Sequence, residues 1–287
     1  MICGYFQCGG VMPDSRSPQQ SSPIDSDTAW AWLTAQCAGA SSAAGISVAS
    51  DGQWHSPQAV TPQAQALLDC LTPLATRPTW VVAQLGQSLD GRIATESGHS
   101  HYINGAESLV HLHRLRALAD AVVVGAGTAA ADNPQLTVRH VSGCHPTRVV
   151  LDPRGRVPSD IALFTNGDVK TLHLTGPEVA PLASSAEHCV LPLNASGQFS
   201  PADVIALLAA RGLKRVLVEG GGITISQFIE ANSVDRLHLM VAPLLIGSGR
   251  PGLQMTPIET LESALRPTMR SFRCGDDTLF DVELRAF

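Results

Sequence analysis

From Trp80 onward short β-branched, apolar runs alternate with segments of helical apolar spacing, without an internal repeat. The runs are "WVVAQL" (80–85), "AVVVG" (121–125), "TRVVLD" (147–152), "RVLVEG" (215–220) and "DRLHLMVAPLLIG" (235–247). The helical segments include "NGAESLVHLHRLRALA" (104–119), with Asn104 as N-cap, "SPADVIALLAARG" (200–212), entered through Ser200 and Pro201, and "ITISQFIEAN" (223–232). Strands alternating with helices predict an α/β sheet. The last strand, "TLFDVELRAF" (278–287), alternates apolar and polar residues, which predicts a mixed sheet with this strand as its half-exposed edge.

Residues before Trp80 follow another pattern. "PDSRSPQQSSPIDSD" (13–27) is Ser/Pro/Gln-rich and is expected to be a disordered segment or linker, so residues 1–27 are set apart. Residues 28–79 predict a small appendage: a helix at "TAWAWLTAQCA" (28–38), a hairpin at "GISVASDGQWH" (45–55), a second helix at "TPQAQALLDCL" (61–71), and a linker at "LTPLATRP" (71–78). All four tryptophans (30, 32, 54 and 80) lie in or just after this unit, so it is expected to pack on the rest of the chain.

Several function classes are disfavoured. A formal net charge of −6 opposes a general nucleic-acid binder, although a local basic pocket for a small phosphorylated ligand fits it. No apolar run reaches the ~18 residues of a membrane span. The first ten residues carry neither a basic n-region nor a long apolar stretch, so no secretory signal is expected. Seven scattered cysteines without a C-x-x-C pair predict reduced thiols and a cytoplasmic protein. The zinc-deaminase signature, G-x-S-x-G and the P-loop are absent. His111 and His113 are two apart on a helix and face different ways, and His99 and His101 sit in a loop, so no metal site is expected.

Two glycine motifs carry the chemistry. "VVVGAGTAAADNP" (122–134) has the spacing of a dinucleotide fingerprint, but Pro134 ends the segment too soon for a Rossmann helix. It leaves either a plain turn or a short helix start at Gly127–Thr128 whose amides face a phosphate. "VEGGGITISQF" (218–228) suits the phosphate reading better: three glycines admit a close ligand, and the following helix offers its N-terminal amides. Glu219, at the strand end, would accept hydrogen bonds from a polar part of the ligand; the alternative is a glycine-rich turn with an exposed acid. Arg116 and Arg139 are candidate phosphate ligands, since guanidinium groups recognise phosphate bidentately.

Taken together, "LGQSLDGRIAT" (85–95), "SGHSHYI" (97–103), "HRLRALADAVVVGAGTAAADNPQLTVR" (113–139), "RVVLDPRGRVP" (148–158), "VLVEGGG" (216–222) and "VDRLHLMVAPLLIG" (234–247) resemble the reductase domain of the riboflavin-biosynthesis deaminase/reductase family, in family order across residues 80–287. The resemblance implies a dihydrofolate-reductase-like three-layer α/β fold with a central mixed sheet, and an NADPH-dependent reduction of a ribosylamino-pyrimidine phosphate to the ribitylamino product. It places Gly86, Tyr102, Thr128, Asp132, Pro153, Gly221, Gly222, Ile223, Thr224, Ile225, Ser226 and Gln227 at the dinucleotide. Arg154 and Arg156 are our candidates for the adenosine 2′-phosphate. It places Ser100, Arg116, Leu136, Arg139 and Glu219 at the substrate, with Gln84 where family members often carry a Lys. Asp132 and Glu219 are the candidate proton-relay groups. A homodimer is the implied assembly. Residues 1–79 show nothing like the family's deaminase domain. Gln84 leaves room for a same-fold reductase of another pyrimidine, pteridine-like or imine substrate, and a non-catalytic nucleotide sensor is the third reading.

Overall fold

The computed structural model describes residues 22–285 except 43 and 102. The chain opens with α1 (Ser26–Cys37), a two-residue hairpin β1 (Ser47–Val48) and β2 (Trp54–His55), and α2 (Pro62–Ala75). There follow β3 (Trp80–Ser88), β4 (Arg92–Thr95), α3 (Ala106–Leu118), β5 (Ala121–Gly125), α4 (Ala126–Asp132), β6 (Thr147–Asp152), α5 (Ala162–Thr165), β7 (Thr171–Thr175) and β8 (Glu187–Val190). The remainder is α6 (Pro201–Ala210), β9 (Arg215–Glu219), α7 (Gly222–Glu230), β10 (Arg236–Ala242), β11 (Gly249–Pro251), β12 (Thr268–Cys274) and β13 (Asp277–Glu283). Among the described residues no helix is long and apolar enough to cross a membrane.

Nine strands form one sheet in the order β12-β13-β10-β3-β9-β5-β6-β7-β8. From β10 to β8 all neighbours are parallel, whereas β13 runs antiparallel to β10 and β12 antiparallel to β13. The sheet is therefore mixed, as expected, but its edge differs from the expectation. β13 is covered by β12, whose residues are mostly exposed and polar, so it lacked an apolar signal.

Strand alternation splits the core into two layers. Val82, Val122, Val124, Val150, Leu217 and Met240 face α3, α5 and the N-terminal helices, while Val81, Ala83, Val123, Val149, Val216 and Val218 face α6 and α7. Among the described residues, the N-terminal unit's buried apolar side chains belong to the same cluster as side chains of the sheet. Trp30, Trp32, Leu33, Leu68, Leu71 and Leu74 share a cluster with Trp80, Leu115 and Leu279. Each such burial contributes roughly 1.5–3 kcal/mol, which fixes the unit to the sheet.

Three local expectations are corrected. The segment expected as linker up to Asp27 is ordered from its end backwards: Ile24 is buried and bridges to Val60, and the Asp25 carboxylate caps α1 through Thr28 N–H. The "LTPLATRP" stretch continues α2 through Pro73 to Ala75, because Leu71, Leu74 and Ala75 are buried and outweigh one lost helix hydrogen bond. Finally, Gly105 rather than Asn104 is the N-cap of α3. The capping acceptor arrives from β13, where Asp277 Oδ2 takes the Gly105 N–H at 2.8 Å and the Ser108 hydroxyl at 2.5 Å.

Candidate active site

The carboxyl ends of β3, β9, β5 and β6 bring the sequence candidates to one end of the sheet, where ligands bind open α/β folds. β9 ends at Glu219; Gly220 then takes φ +102, a conformation that favours glycine, and Gly221 caps α7. β5 turns into α4 beside it, and Thr128 Oγ1 of α4 accepts the Gly221 N–H at 2.8 Å. The two glycine motifs thus form one double turn. A side chain at Gly222 would collide with the Gly252 carbonyl, so this third glycine serves packing between α7 and the loop after β11.

The turn and its acid part ways. Glu219 lies on the same strand face as Leu217, toward α3, while α7 crosses to the opposite face. There Glu219 meets Arg116 in a bidentate pair: Nε donates to Oε1 and Nη2 to Oε2, both at 2.7 Å. Arg116 Nη1 donates to the Thr137 carbonyl at 3.1 Å. Both side chains are 7% exposed. Burial works against the guanidinium, but the Glu219 charge outweighs it and holds the Arg116 pKa above its ordinary value. Arg116 therefore donates to Glu219 and to the Thr137 carbonyl, and each Glu219 oxygen accepts one of those bonds; the burial of Glu219 rules out the alternative of an exposed acid in a glycine-rich turn.

Arg139 remains outward. It is exposed, and its Nη1 donates to Gln135 Oε1 at 3.0 Å and to Thr137 Oγ1 at 2.7 Å. Its backbone N–H donates to His113 Nδ1 at 2.8 Å. Burial first, then the charges of Arg116, His140 and Arg139, lower the His113 pKa to about 3, so the imidazole is neutral and free to accept. Leu136 is buried with φ +54, so it shapes the backbone of this loop rather than presenting its side chain. Left-handed backbone at a bulky residue is strain of the kind that clusters at ligand sites.

The other candidates distribute as follows. Gln84 is half-buried on β3, in register between Glu219 of β9 and His238 of β10. Gly86 leaves room only for the Asn104 side chain. Ser100 is partly exposed in the loop after β4, and Tyr102 lies outside the described residues. Asp132 is exposed at the end of α4. Pro153, Arg154 and Arg156 lie on the turn after β6, with both arginines exposed. That turn is held from below: the buried Asp152 carboxylate accepts the N–H groups of Arg156 (2.8 Å) and Val157 (3.0 Å) and lies 3.2 Å from His173 Nε2. Of the α7 segment, Ile223 is exposed and Thr224 and Gln227 are partly so. Ile225 is fully buried, and the Ser226 hydroxyl accepts the Gln254 N–H at 2.7 Å. Helical periodicity turns those two side chains inward.

Two features escaped the sequence reading. Asp152 sits at a buried strand end, and only the fold reveals the turn it fastens. Cys70, His111 and His238 bring ligand atoms within 4.8 Å of one another, the single such cluster with metal-ligand chemistry among the described residues. Here His111 Nε2 and His238 Nδ1 lie 2.9 Å apart with ring planes 20° from parallel, which is an imidazole–imidazole hydrogen bond. His238 Nε2 lies 3.4 Å from Asp281, a carboxylate already held by Arg236 and Arg270.

With this geometry in place, comparison with known proteins is decisive for the family. Residues 79–280 match the family described as RibD C-terminal domain. The chain belongs to this family. It is 30% identical over 215 residues to the 2,5-diamino-6-ribosylamino-4(3H)-pyrimidinone 5′-phosphate reductase of Methanothermobacter thermautotrophicus, covering 72% of this chain and 98% of that protein. It is 31% identical over 182 residues to the riboflavin biosynthesis protein RibD of Aquifex aeolicus, covering 63% of this chain and 51% of that protein. The chain therefore spans about half the length of that longer relative. Among solved structures, RibD of Acinetobacter baumannii superposes with a TM-score of 0.63 at 24% identity, covering 79% of this chain and 65% of that one. A Thermotoga maritima deaminase/reductase superposes with a TM-score of 0.60 at 24% identity, covering 79% and 64%. The fold is that of the RibD reductase domain, a dihydrofolate-reductase-like three-layer arrangement.

Proposed function

We propose that the protein is an NADPH-dependent reductase of a ribosylamino-pyrimidine 5′-phosphate, acting in riboflavin biosynthesis and converting the ribosyl group to ribityl. The observation that supports this reading is the match covering 98% of the 2,5-diamino-6-ribosylamino-4(3H)-pyrimidinone 5′-phosphate reductase of Methanothermobacter thermautotrophicus.

The residues suit the dinucleotide. The double turn offers Gly221, Gly222, Ile223, Thr224 and Thr128 at a helix N-terminus, where a pyrophosphate is favoured. Arg154 and Arg156 are exposed cations on the neighbouring turn and would take the 2′-phosphate that separates NADPH from NADH. When bound, the dinucleotide supplies the hydride that C1′ of the opened sugar receives. The chain's own residues orient the substrate. Arg139 holds the 5′-phosphate, Ser100 and Gln84 bond the sugar and base, and Leu136 sets the loop. The Arg116–Glu219 pair fixes the floor beneath them. Both Glu219 oxygens already accept from Arg116, which leaves the exposed Asp132 as the candidate proton-relay group.

A second reading keeps the chemistry and changes the substrate: Gln84 is neutral, so a pyrimidine or pteridine-like substrate needing no cation at β3 fits equally. We also propose a cytoplasmic homodimer joined through the exposed edge β12, where Met269 is 61% exposed; a monomeric mass by light scattering at micromolar concentration would oppose it. The cofactor reading is tested by titrating the protein with NADPH and NADH and following its thermal unfolding. NADPH should raise the midpoint well above NADH at equal concentration, and the preference should vanish in the double variant Arg154→Ala/Arg156→Ala. Equal shifts would refute the assignment of Arg154 and Arg156 to the 2′-phosphate, and no shift with either nucleotide would oppose the reductase reading.

A further inference from the structure

The loop that carries Arg139 has a fastening that comes from outside the reductase unit. Residues 133–146 form neither helix nor strand, yet they present the exposed guanidinium and the strained Leu136. On one side α3 holds them, through His113 Nδ1 to the Arg139 N–H and Arg116 Nη1 to the Thr137 carbonyl. A side chain at Gly143, where φ is +150, would stand 2.6 Å from the Ala117 side chain, so the loop also lies flat against α3. On the other side stands α1. Trp30 Nε1 donates to the Ser142 carbonyl at 3.0 Å, three residues beyond Arg139. The Trp30 ring is 6% exposed, lies under the Arg114 guanidinium at 5.9 Å, and shares its hydrophobic cluster with Val141.

We infer that Trp30 is a positioning residue for substrate binding: the N-terminal helix clamps residues 139–143 against α3 and so sets the direction of the Arg139 guanidinium. Trp30 precedes the residues 79–280 that match the family, so the role belongs to this chain's added unit. It gives that unit a task at the active site. A loop without secondary structure holds a geometry only through such contacts, and a small misplacement of a phosphate ligand costs binding of the substrate far more than binding of a separately held cofactor. The inference rests on the reading of Arg139 as the phosphate ligand.

The test is the full chain with Trp30→Phe, which retains an aromatic ring under Arg114 and removes the N–H, beside Arg139→Ala. Three readouts are taken: amide hydrogen exchange of residues 137–144, NADPH affinity, and steady-state kinetics with 5-amino-6-(5-phosphoribosylamino)uracil. In Trp30→Phe the loop amides should exchange about three- to tenfold faster and KM should rise about three- to tenfold, the range a single neutral hydrogen bond is worth. NADPH affinity and kcat should stay within about twofold. Loop exchange as slow as in the wild type overturns the brace even if Arg139→Ala raises KM. An NADPH affinity that falls along with substrate affinity overturns it as general destabilisation. An unchanged KM in Arg139→Ala overturns the phosphate reading and with it the brace's catalytic role, and the exchange result tells that failure apart from failure of the clamp.

Discussion

Replacing Glu219 by Gln isolates the energetics beneath the site. The change preserves shape and removes one charge, leaving the Arg116 guanidinium buried with the Thr137 carbonyl and a neutral amide as its acceptors. Two unit charges about 4 Å apart attract by ~4 kcal/mol at an effective dielectric of ~20. One-sided disruption of a buried pair costs ~3–5 kcal/mol, because the surviving charge stays desolvated. Against a total stability of ~5–15 kcal/mol this is a large share. Urea unfolding should therefore show a midpoint lowered by about 1–2 M with an unchanged slope. Removing the orphaned charge as well, in Glu219→Gln/Arg116→Met, should recover most of the loss. A single variant that loses less than ~1 kcal/mol, or a double variant no more stable than the single, would refute the view that the pair is a buried, mutually dependent unit.

Three further outcomes follow from the same contacts. Asp152→Asn loosens the turn bearing Arg154 and Arg156, and should raise KM for NADPH about three- to tenfold with little change in kcat at saturation; unchanged NADPH kinetics would refute the turn's role. Asp277→Ala removes the distant cap of α3 and should cost ~1–2 kcal/mol in urea unfolding, a loss that would be absent if water replaced the carboxylate. His113, with its folded pKa lowered to about 3, binds its proton first in the unfolded chain. Stability should thus be intact above about pH 6.5 and decline as pH falls toward 3, and His113→Gln should reduce that decline by about one proton in the linkage slope. An identical slope in the variant would contradict it.

Much of the fold was legible because the parallel strands are buried on both faces and their sequences say so without alternation. The edge was not. β12 carries Arg270, Arg273 and Ser271 and packs on one side only, so nothing in "TMRSFRC" distinguishes it from loop. Pro73 signalled a helix end that burial of Leu74 and Ala75 overrode. The α3 cap was invisible for a plainer reason: its carboxylate comes from Asp277, 172 residues after Gly105. At the site, residue types were informative and their pairing was not. Glu219 and Arg116 were both identified, but they sit 103 residues apart in sequence, and only the shared strand face of Leu217 and Glu219 hinted that the acid turns toward α3. The glycine turn was legible as a backbone feature because φ +102 at Gly220 is a local property, whereas its threonine acceptor, Thr128, comes from 93 residues away.

The central claim is a reduction, and one assay addresses it directly: purified protein, NADPH and 5-amino-6-(5-phosphoribosylamino)uracil, followed by loss of nicotinamide absorbance and by mass of the product. The account predicts that one NADPH is consumed per substrate, that the product gains two hydrogens as the ribitylamino compound, and that Arg139→Ala lowers kcat/KM by at least tenfold. NADPH bound without consumption, or consumption that is indifferent to Arg139, would contradict it.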